Sequence, residues 1–211
     1  MARSFAAVNC EGRMGRELEA KFRVPTLEPV RQRLRARGAK PASLVLETNR
    51  IFDTPDRLLL GADCGLRVRE AAAVGAAPGS PAYSATLTYK GPRSASQPKV
   101  REELETAVAD PAELVGILQR LGFHEVVYYE KRRETWRPGP CEIALDELPR
   151  LGSWIEIEGP DAAAIEHART DLGLADTPVS AETYVELAAT HGDADAAGCR
   201  RLVFGTAGGT V

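Results

Sequence analysis

The chain has 211 residues, 44% of them hydrophobic, with 27 Lys and Arg against 30 Asp and Glu and a net charge of −3. That length and composition suit one large domain with a substantial core. The near-balance of charge argues against a general nucleic-acid binder, and no apolar run approaches the roughly 18 residues that span a bilayer. Cys10, Cys64, Cys141 and Cys199, with only three histidines, make no metal-type cluster, so free thiols in a reducing cytoplasm are the expected state.

Residues 1–14 are expected to be a disordered leader, or a start placed too far upstream; their apolar part, residues 5–8, is too short for a signal peptide. Residues 17–24 read as a strand. Alternate side chains of a strand share a face, so Glu17, Glu19, Lys21 and Arg23 lie on one side and Leu18, Ala20 and Phe22 on the other. A helix is predicted over 27–37, with Val30 and Leu34 at helical spacing and Gly38 as its stop. Its Arg31, Arg33, Arg35 and Arg37 spread around the helix and are expected to be solvated.

A second strand follows over 43–52, then a turn at Asp53-Thr54-Pro55-Asp56. A third strand over 65–70 aligns Arg67 and Arg69, and the Ala, Gly and Pro-rich stretch 71–81 reads as a hairpin loop. Strands over 83–90 and 99–106 pair as a hairpin, the first presenting Thr86, Thr88 and Lys90 and the second Arg101, Glu103 and Glu105. A helix over 111–121 leads to a long strand over 125–136 that carries Lys131 and Arg133. Strands over 141–145 and 153–157 follow; Glu142 and Asp146 share a face at the first, Glu156 and Glu158 at the second. Helices from 159 to 172 and from 181 to 189 complete the domain, assigned to residues 15–190, and 191–211 are expected to be a flexible tail. His124 and His167 read as surface groups, and Trp136 and Trp154 as packing residues.

Six or more strands, each with one charged face, fit a closed barrel with a charged interior better than a row of ordinary outer faces. The cations Arg67, Arg69, Lys90, Arg101, Lys131 and Arg133 and the carboxylates Glu17, Glu19, Glu103, Asp146, Glu156 and Glu158 look segregated into two groups. Simple ion pairing would neutralise both. So would a phosphate polyanion that brings divalent cations, because hard Mg2+ or Mn2+ bridges carboxylate and phosphate oxygens and guanidinium groups bind phosphate bidentately.

The sequence is similar to the CYTH-domain proteins, the triphosphate tunnel metalloenzymes. The resemblance begins at Glu17-Leu18-Glu19-Ala20-Lys21. It continues through Phe52-Asp53-Thr54-Pro55-Asp56, Gly65-Leu66-Arg67-Val68-Arg69, Thr86-Leu87-Thr88-Tyr89-Lys90-Gly91, Arg101-Glu102-Glu103 and Lys131-Arg132-Arg133-Glu134, and ends on the stretch 146–158. It implies an α+β fold dominated by an antiparallel eight-stranded β-barrel with flanking helices, whose tunnel binds a triphosphate. Lys21, Arg67, Arg69, Lys90, Arg101, Lys131 and Arg133 match the phosphate-holding positions. Glu17, Glu19, Asp146, Glu156 and Glu158 match the metal-holding ones, while Glu103 is expected to orient basic neighbours. Two departures stand out. Asn49-Arg50-Ile51-Phe52 has no tyrosine where thiamine-triphosphatase-like members carry one, and Glu182 precedes Thr183-Tyr184 where a basic residue often precedes a Ser-Tyr pair; Arg50 is the candidate for that missing phosphate contact.

The function expected is a Mg2+- or Mn2+-dependent phosphohydrolase acting on inorganic triphosphate or a nucleoside triphosphate. Glu17, Glu19, Lys90, Asp146 and Glu156 are its catalytic candidates. The alternatives are a class IV-type adenylate cyclase that converts ATP to cyclic AMP and pyrophosphate, and a non-catalytic polyphosphate or nucleotide binder. The expected partner is a small-molecule triphosphate rather than nucleic acid or membrane, for a cytoplasmic monomer or homodimer.

Overall fold

The computed structural model describes residues 18–74, 83–92 and 102–205. The expected leader, Glu17, Arg101, most of the 71–81 loop and the end of the tail therefore lie outside the described residues. In chain order the elements are β1 (Glu19–Val24), α1 (Glu28–Ala36), β2 (Pro41–Asp53), α2 (Leu58–Gly61), β3 (Gly65–Ala73), β4 (Tyr83–Lys90), β5 (Glu103–Ala107) and α3 (Pro111–Arg120). Then come β6 (His124–Trp136), β7 (Glu142–Leu148), β8 (Gly152–Glu158), α4 (Ala162–Asp171), α5 (Tyr184–His191), β9 (Asp193–Ala194) and β10 (Arg200–Leu202). No helix among the described residues is long and apolar enough to cross a membrane.

Eight strands form one antiparallel path in the order β1-β8-β7-β6-β2-β3-β4-β5. The sheet curls into a barrel-like wall, but among the described residues the expected closure is not found: β1 and β5 are the ends of the path and do not pair. The free edge of β1 is met instead by the chain leading to α5, through a bridge between Phe22 and Val179 and a hydrogen bond from the Ser180 amide to the Lys21 carbonyl at 2.7 Å. The 13-residue β6 outruns β7, and its early part pairs in parallel with β10, an element from within the expected tail.

The two faces of this wall are chemically different. On the convex side, Phe22, Trp136, Ile143, Leu145, Ile155 and Ile157 pack with Val30 and Leu34 of α1 and Ile165 of α4. Further along, Phe52 and Val68 pack against Leu118 of α3. Helix α3 begins where the Asp110 side chain accepts the Glu113 amide at 2.9 Å. The expected turn after Asp53 is present, with the Asp53 carboxylate accepting the Thr54 amide at 2.8 Å, and the same carboxylate also accepts the amides of Leu59 and Leu60 in the short α2 at 2.9 and 3.0 Å.

Of the helix arginines, Arg33, Arg35 and Arg37 are exposed as expected, while Arg31 is half-buried. Arg31 pairs with Glu134 on β6 at 2.9 Å, and Arg33 and Arg37 donate to the carbonyls of Leu172 and Asp171 at 2.9 and 2.6 Å. Cations placed at the carbonyl end of α4 complement its dipole and tie two helices together. Gly173, at φ +67°, leaves the room: a Cβ there would lie 2.4 Å from the Arg33 guanidinium carbon.

One end of the concave side is apolar too. Ile51, Val127, Tyr129, Leu148 and Trp154 pack against Tyr184, Leu187 and Ala188 of α5 and Leu202 of β10. Helix α5 thus plugs one end of the curl, leaving the charged alternate positions beyond it. It starts at a capping box in which the Thr183 hydroxyl accepts the Glu186 amide and the Glu186 carboxylate accepts the Thr183 amide. Because β1 holds its charged face in place through Phe22, which is wholly buried, Phe22→Ala should cost about 3–5 kcal/mol, read as a lower midpoint in urea unfolding.

Candidate functional site

The concave face is built by strand alternation. β1 places Lys21 opposite Phe22, β2 places Glu47 and Asn49, β3 places Arg67 and Arg69, and β4 places Thr88 and Lys90. β5 contributes Glu103 and Glu105, β6 contributes Lys131 and Arg133, β7 contributes Asp146 and β8 contributes Glu156. Charges that would be solvated on an isolated sheet are enclosed here: Lys21, Glu47, Lys131 and Asp146 are between 0% and 5% exposed. Buried charge is tolerated only when paired, and the side chains meet that demand by interleaving.

Arg133 is the hub. Its Nε donates to Asp146 Oδ1 at 2.7 Å and its Nη2 to Asp146 Oδ2 at 2.6 Å, and the same Nη2 donates a short hydrogen bond to Glu156. Glu156 in turn pairs with Lys21 at 3.0 Å. Lys131 sits 3.4 Å from both Asp146 and Glu47. Glu47 also faces Arg69 at 3.5 Å and Arg133 at 3.9 Å. At the far side Lys90 pairs with Glu103 at 3.1 Å, Arg67 lies 3.9 Å from Glu103, and Thr88 donates to Glu105 at 2.8 Å. The expected segregation into a basic and an acidic cluster is therefore replaced by alternation of sign. At low dielectric, like charges packed together would repel far more strongly than in water.

Of the candidates named from sequence, Lys21, Arg67, Arg69, Lys131, Arg133, Asp146 and Glu156 converge on this network. Lys90 joins its outer part through Glu103, which sits beside basic neighbours as expected. Glu19 lies further out, 3.8 Å from Lys21 and opposite Glu158 in the β1–β8 register. Arg50 does not reach the network: it faces away from Asn49, near Glu70 and Glu125 and over the Tyr128 ring. His124 is exposed, as is His167, with 81% of its side chain accessible, and Trp136 and Trp154 are buried.

Three residues were not found from sequence. Glu47 and Asn49 could have been, since their alternation on β2 matches that of the charged strands. Tyr184 stands in the Thr183-Tyr184 pair that the resemblance marks, but only the fold brings α5 to the sheet and shows what it touches. Its hydroxyl donates to Asp146 Oδ2 at 2.8 Å, and its ring lies 4.1 Å from the Lys21 ammonium and 4.9 Å from that of Lys131. Burial, with Glu156 and Asp146 close by, pushes the phenol well above its ordinary pKa, so it stays a donor. Next along the same face, Arg23 stacks over Trp154, and a cavity of about 400 Å³ opens beside them, lined also by Ser180 and His191.

The electrostatics are those of a matched bed. Burial would depress the Lys21 ammonium, but Glu156 and Glu19 outweigh it and leave it raised. Burial would raise Glu47, but Lys131, Arg69 and Arg133 hold its carboxyl well below the usual range. A carboxyl depressed in the native state stabilises fully above its unfolded value of about 4.3, and that stabilisation is lost as pH falls below it. Glu47→Gln should therefore lower stability at pH 7 by about 3–5 kcal/mol. Denaturant titrations should show the gap to wild type shrinking below about pH 4; a gap that ignores pH would contradict this assignment.

The donor chemistry suits a hard cation, because the anionic groups of this face are carboxylates. Among the described residues, however, no three of them gather as a ready metal centre, and Arg133 and Lys21 bridge the carboxylates instead. Comparison with known proteins agrees with the fold. A protein of Methanocaldococcus jannaschii that carries the provisional name adenylate cyclase is 28% identical over 142 residues, 67% of this chain and 75% of its own. The PH1819 protein of Pyrococcus horikoshii superposes with a TM-score of 0.67 at 26% identity, covering 81% of this chain and 97% of that one. A Hippeastrum protein, described as an adenylyl cyclase by provisional name with a dominant triphosphatase activity, shares the fold at 19% identity and a TM-score of 0.55, over 79% of this chain and 92% of its own. The CYTH domain matches residues 15–183, and the chain belongs to the CYTH domain family.

Proposed function

We propose that this chain is a metal-dependent triphosphatase that cleaves the terminal phosphoanhydride bond of inorganic triphosphate or a nucleoside triphosphate on its concave face. The observation that carries this reading is the run of alternating charge from Lys21 through Glu156, Arg133, Asp146 and Lys131 to Glu47. Such a bed offers many donors to a phosphate chain while already being close to neutral. A triphosphate adds several negative charges, so it would enter with cations of its own. Glu19, Asp146, Glu156 and Glu158 are the residues that would hold a divalent ion, joined by Glu17 outside the described residues. When bound, the ion would neutralise phosphate charge and polarise phosphoryl oxygens.

The chain's own residues would do the positioning. Lys131, Arg133, Arg67 and Arg69 would take the non-bridging oxygens, trading internal carboxylates for phosphate. Lys90, beyond Thr88, would stabilise charge at the outer phosphoryl group. Phosphoryl transfer needs mainly alignment and charge stabilisation, and the α5 plug keeps solvent from one end of the site. Water would attack the terminal phosphorus as the bridging oxygen leaves, releasing phosphate. The triphosphatase activity described for the Hippeastrum protein supports this reading by analogy of fold alone.

A second reading is favoured by one observation. The cavity at Arg23 and Trp154 lies two residues along β1 and β8 from Lys21 and Glu156, giving room for a nucleoside. There ATP would be cyclised by attack of its ribose 3′-hydroxyl on the α-phosphorus, with pyrophosphate leaving, in line with the name of the M. jannaschii relative. Incubating the protein with triphosphate, ATP and thiamine triphosphate, with Mg2+ or Mn2+, and separating every product distinguishes the two. Phosphate release, with ADP from ATP, is expected; cyclic AMP would establish the cyclase instead. Glu156→Gln should lower turnover at least about 100-fold, and excess chelator should abolish it. Full activity in either case would refute the metal-dependent hydrolase.

A further inference from the structure

Asn49 is fully buried on the concave face of β2, between Arg69 on β3 and Tyr129 on β6 in the strand register. Its Oδ1 accepts a hydrogen bond from Arg69 Nε at 3.3 Å. A guanidinium only donates, so this bond fixes which end of the amide is oxygen and which is nitrogen. The Nδ2 group that results has no acceptor among the described residues. Arg67 Nε, on the same face of the neighbouring strand, is likewise buried without an acceptor. Buried amide donors are almost always satisfied, and leaving one unpaired destabilises a protein that gains nothing from it. Two such donors on neighbouring strands of one face are suited to an anion that arrives from outside.

We propose that Asn49 is a phosphate-binding residue, donating from Nδ2 to an oxygen of the bound phosphate chain while Arg69 holds the amide in place. The proposal rests on the triphosphate reading above and extends it to a neutral donor. Asn49 complements the cations in one respect: it supplies a directional bond without altering the charge balance of the bed.

Two substitutions separate direct donation from a merely structural role. Asn49→Leu keeps the volume and loses both polar atoms. Asn49→Asp keeps the acceptor for Arg69 and loses the donor. If Asn49 served only to brace Arg69, Asn49→Asp would be the milder change. Direct donation makes it the harsher one, because a carboxylate would face the phosphate. Calorimetric titration with a non-hydrolysable triphosphate analogue and Mg2+ should show affinity falling about 10-fold or more in Asn49→Leu and about 100-fold or more in Asn49→Asp, with thermal melting of each free protein confirming that it is folded. If Asn49→Leu fails to fold, the Asn49→Asp titration decides alone. Variants that bind as wild type does, or an Asn49→Asp milder than Asn49→Leu, would overturn the assignment of Asn49 while leaving the triphosphate reading standing. A wild-type protein that binds no triphosphate would overturn both.

Discussion

The guanidinium of Arg133 lies between the carboxylates of Asp146 and Glu156, and the rest of the structure depends on that clamp. Strand alternation forces a choice: if Phe22, Ile143, Ile155 and Trp136 are to meet α1 and α4, then Lys21, Asp146, Glu156 and Arg133 must turn the other way. The curl of the sheet encloses them, and enclosure makes unpaired charge intolerable. Each cation consequently sits beside a carboxylate from a different strand. The fold and its polar interior are thus one solution to one constraint: the convex core fixes the register, and the register dictates the ion pairs.

Tyr184 joins the apolar and charged parts. It belongs to the α5 plug through Leu187 and Ala188, yet its hydroxyl and ring face Asp146, Lys21 and Lys131. The chain leading to α5 also covers the edge of β1. Any rearrangement of the charged bed that moved Asp146 would therefore be felt at the C-terminal helix. Pairing the bed internally has a second consequence. The cations are held in place before a ligand arrives, so a polyanion would meet donors that are already ordered, at the expense of displacing carboxylates that then suit a divalent ion.

Much of this was legible in the sequence. The period-two charges of β1, β3, β4, β6, β7 and β8 predicted an enclosed polar face, and the converging residues are largely those the pattern named. What alternation could not supply was partnership. A sequence tells that Arg133 and Asp146 face one way, but not that they touch, so the interleaving of signs was invisible. Glu47 and Asn49 lay within the same periodicity but outside the motifs. Tyr184 and the α1 arginines depend on which helix lies over which strand, information carried by tertiary packing alone. Among the described residues the sheet does not close, which alternation could not foresee because it reports faces and not edges: β1 and β5 have barrel-like patterns, yet residues 179 and 180 take the edge of β1.

The central claim is that the concave ion network is a polyanion site whose cations exchange internal carboxylates for phosphate. A crystal structure with a non-hydrolysable triphosphate analogue and Mg2+ tests this most directly. The account predicts phosphate density on the concave face within hydrogen-bond reach of Lys131, Arg133, Arg67 and Arg69, with Glu156 and Asp146 drawn off Arg133. An analogue bound elsewhere, with the Arg133 clamp intact, would contradict it.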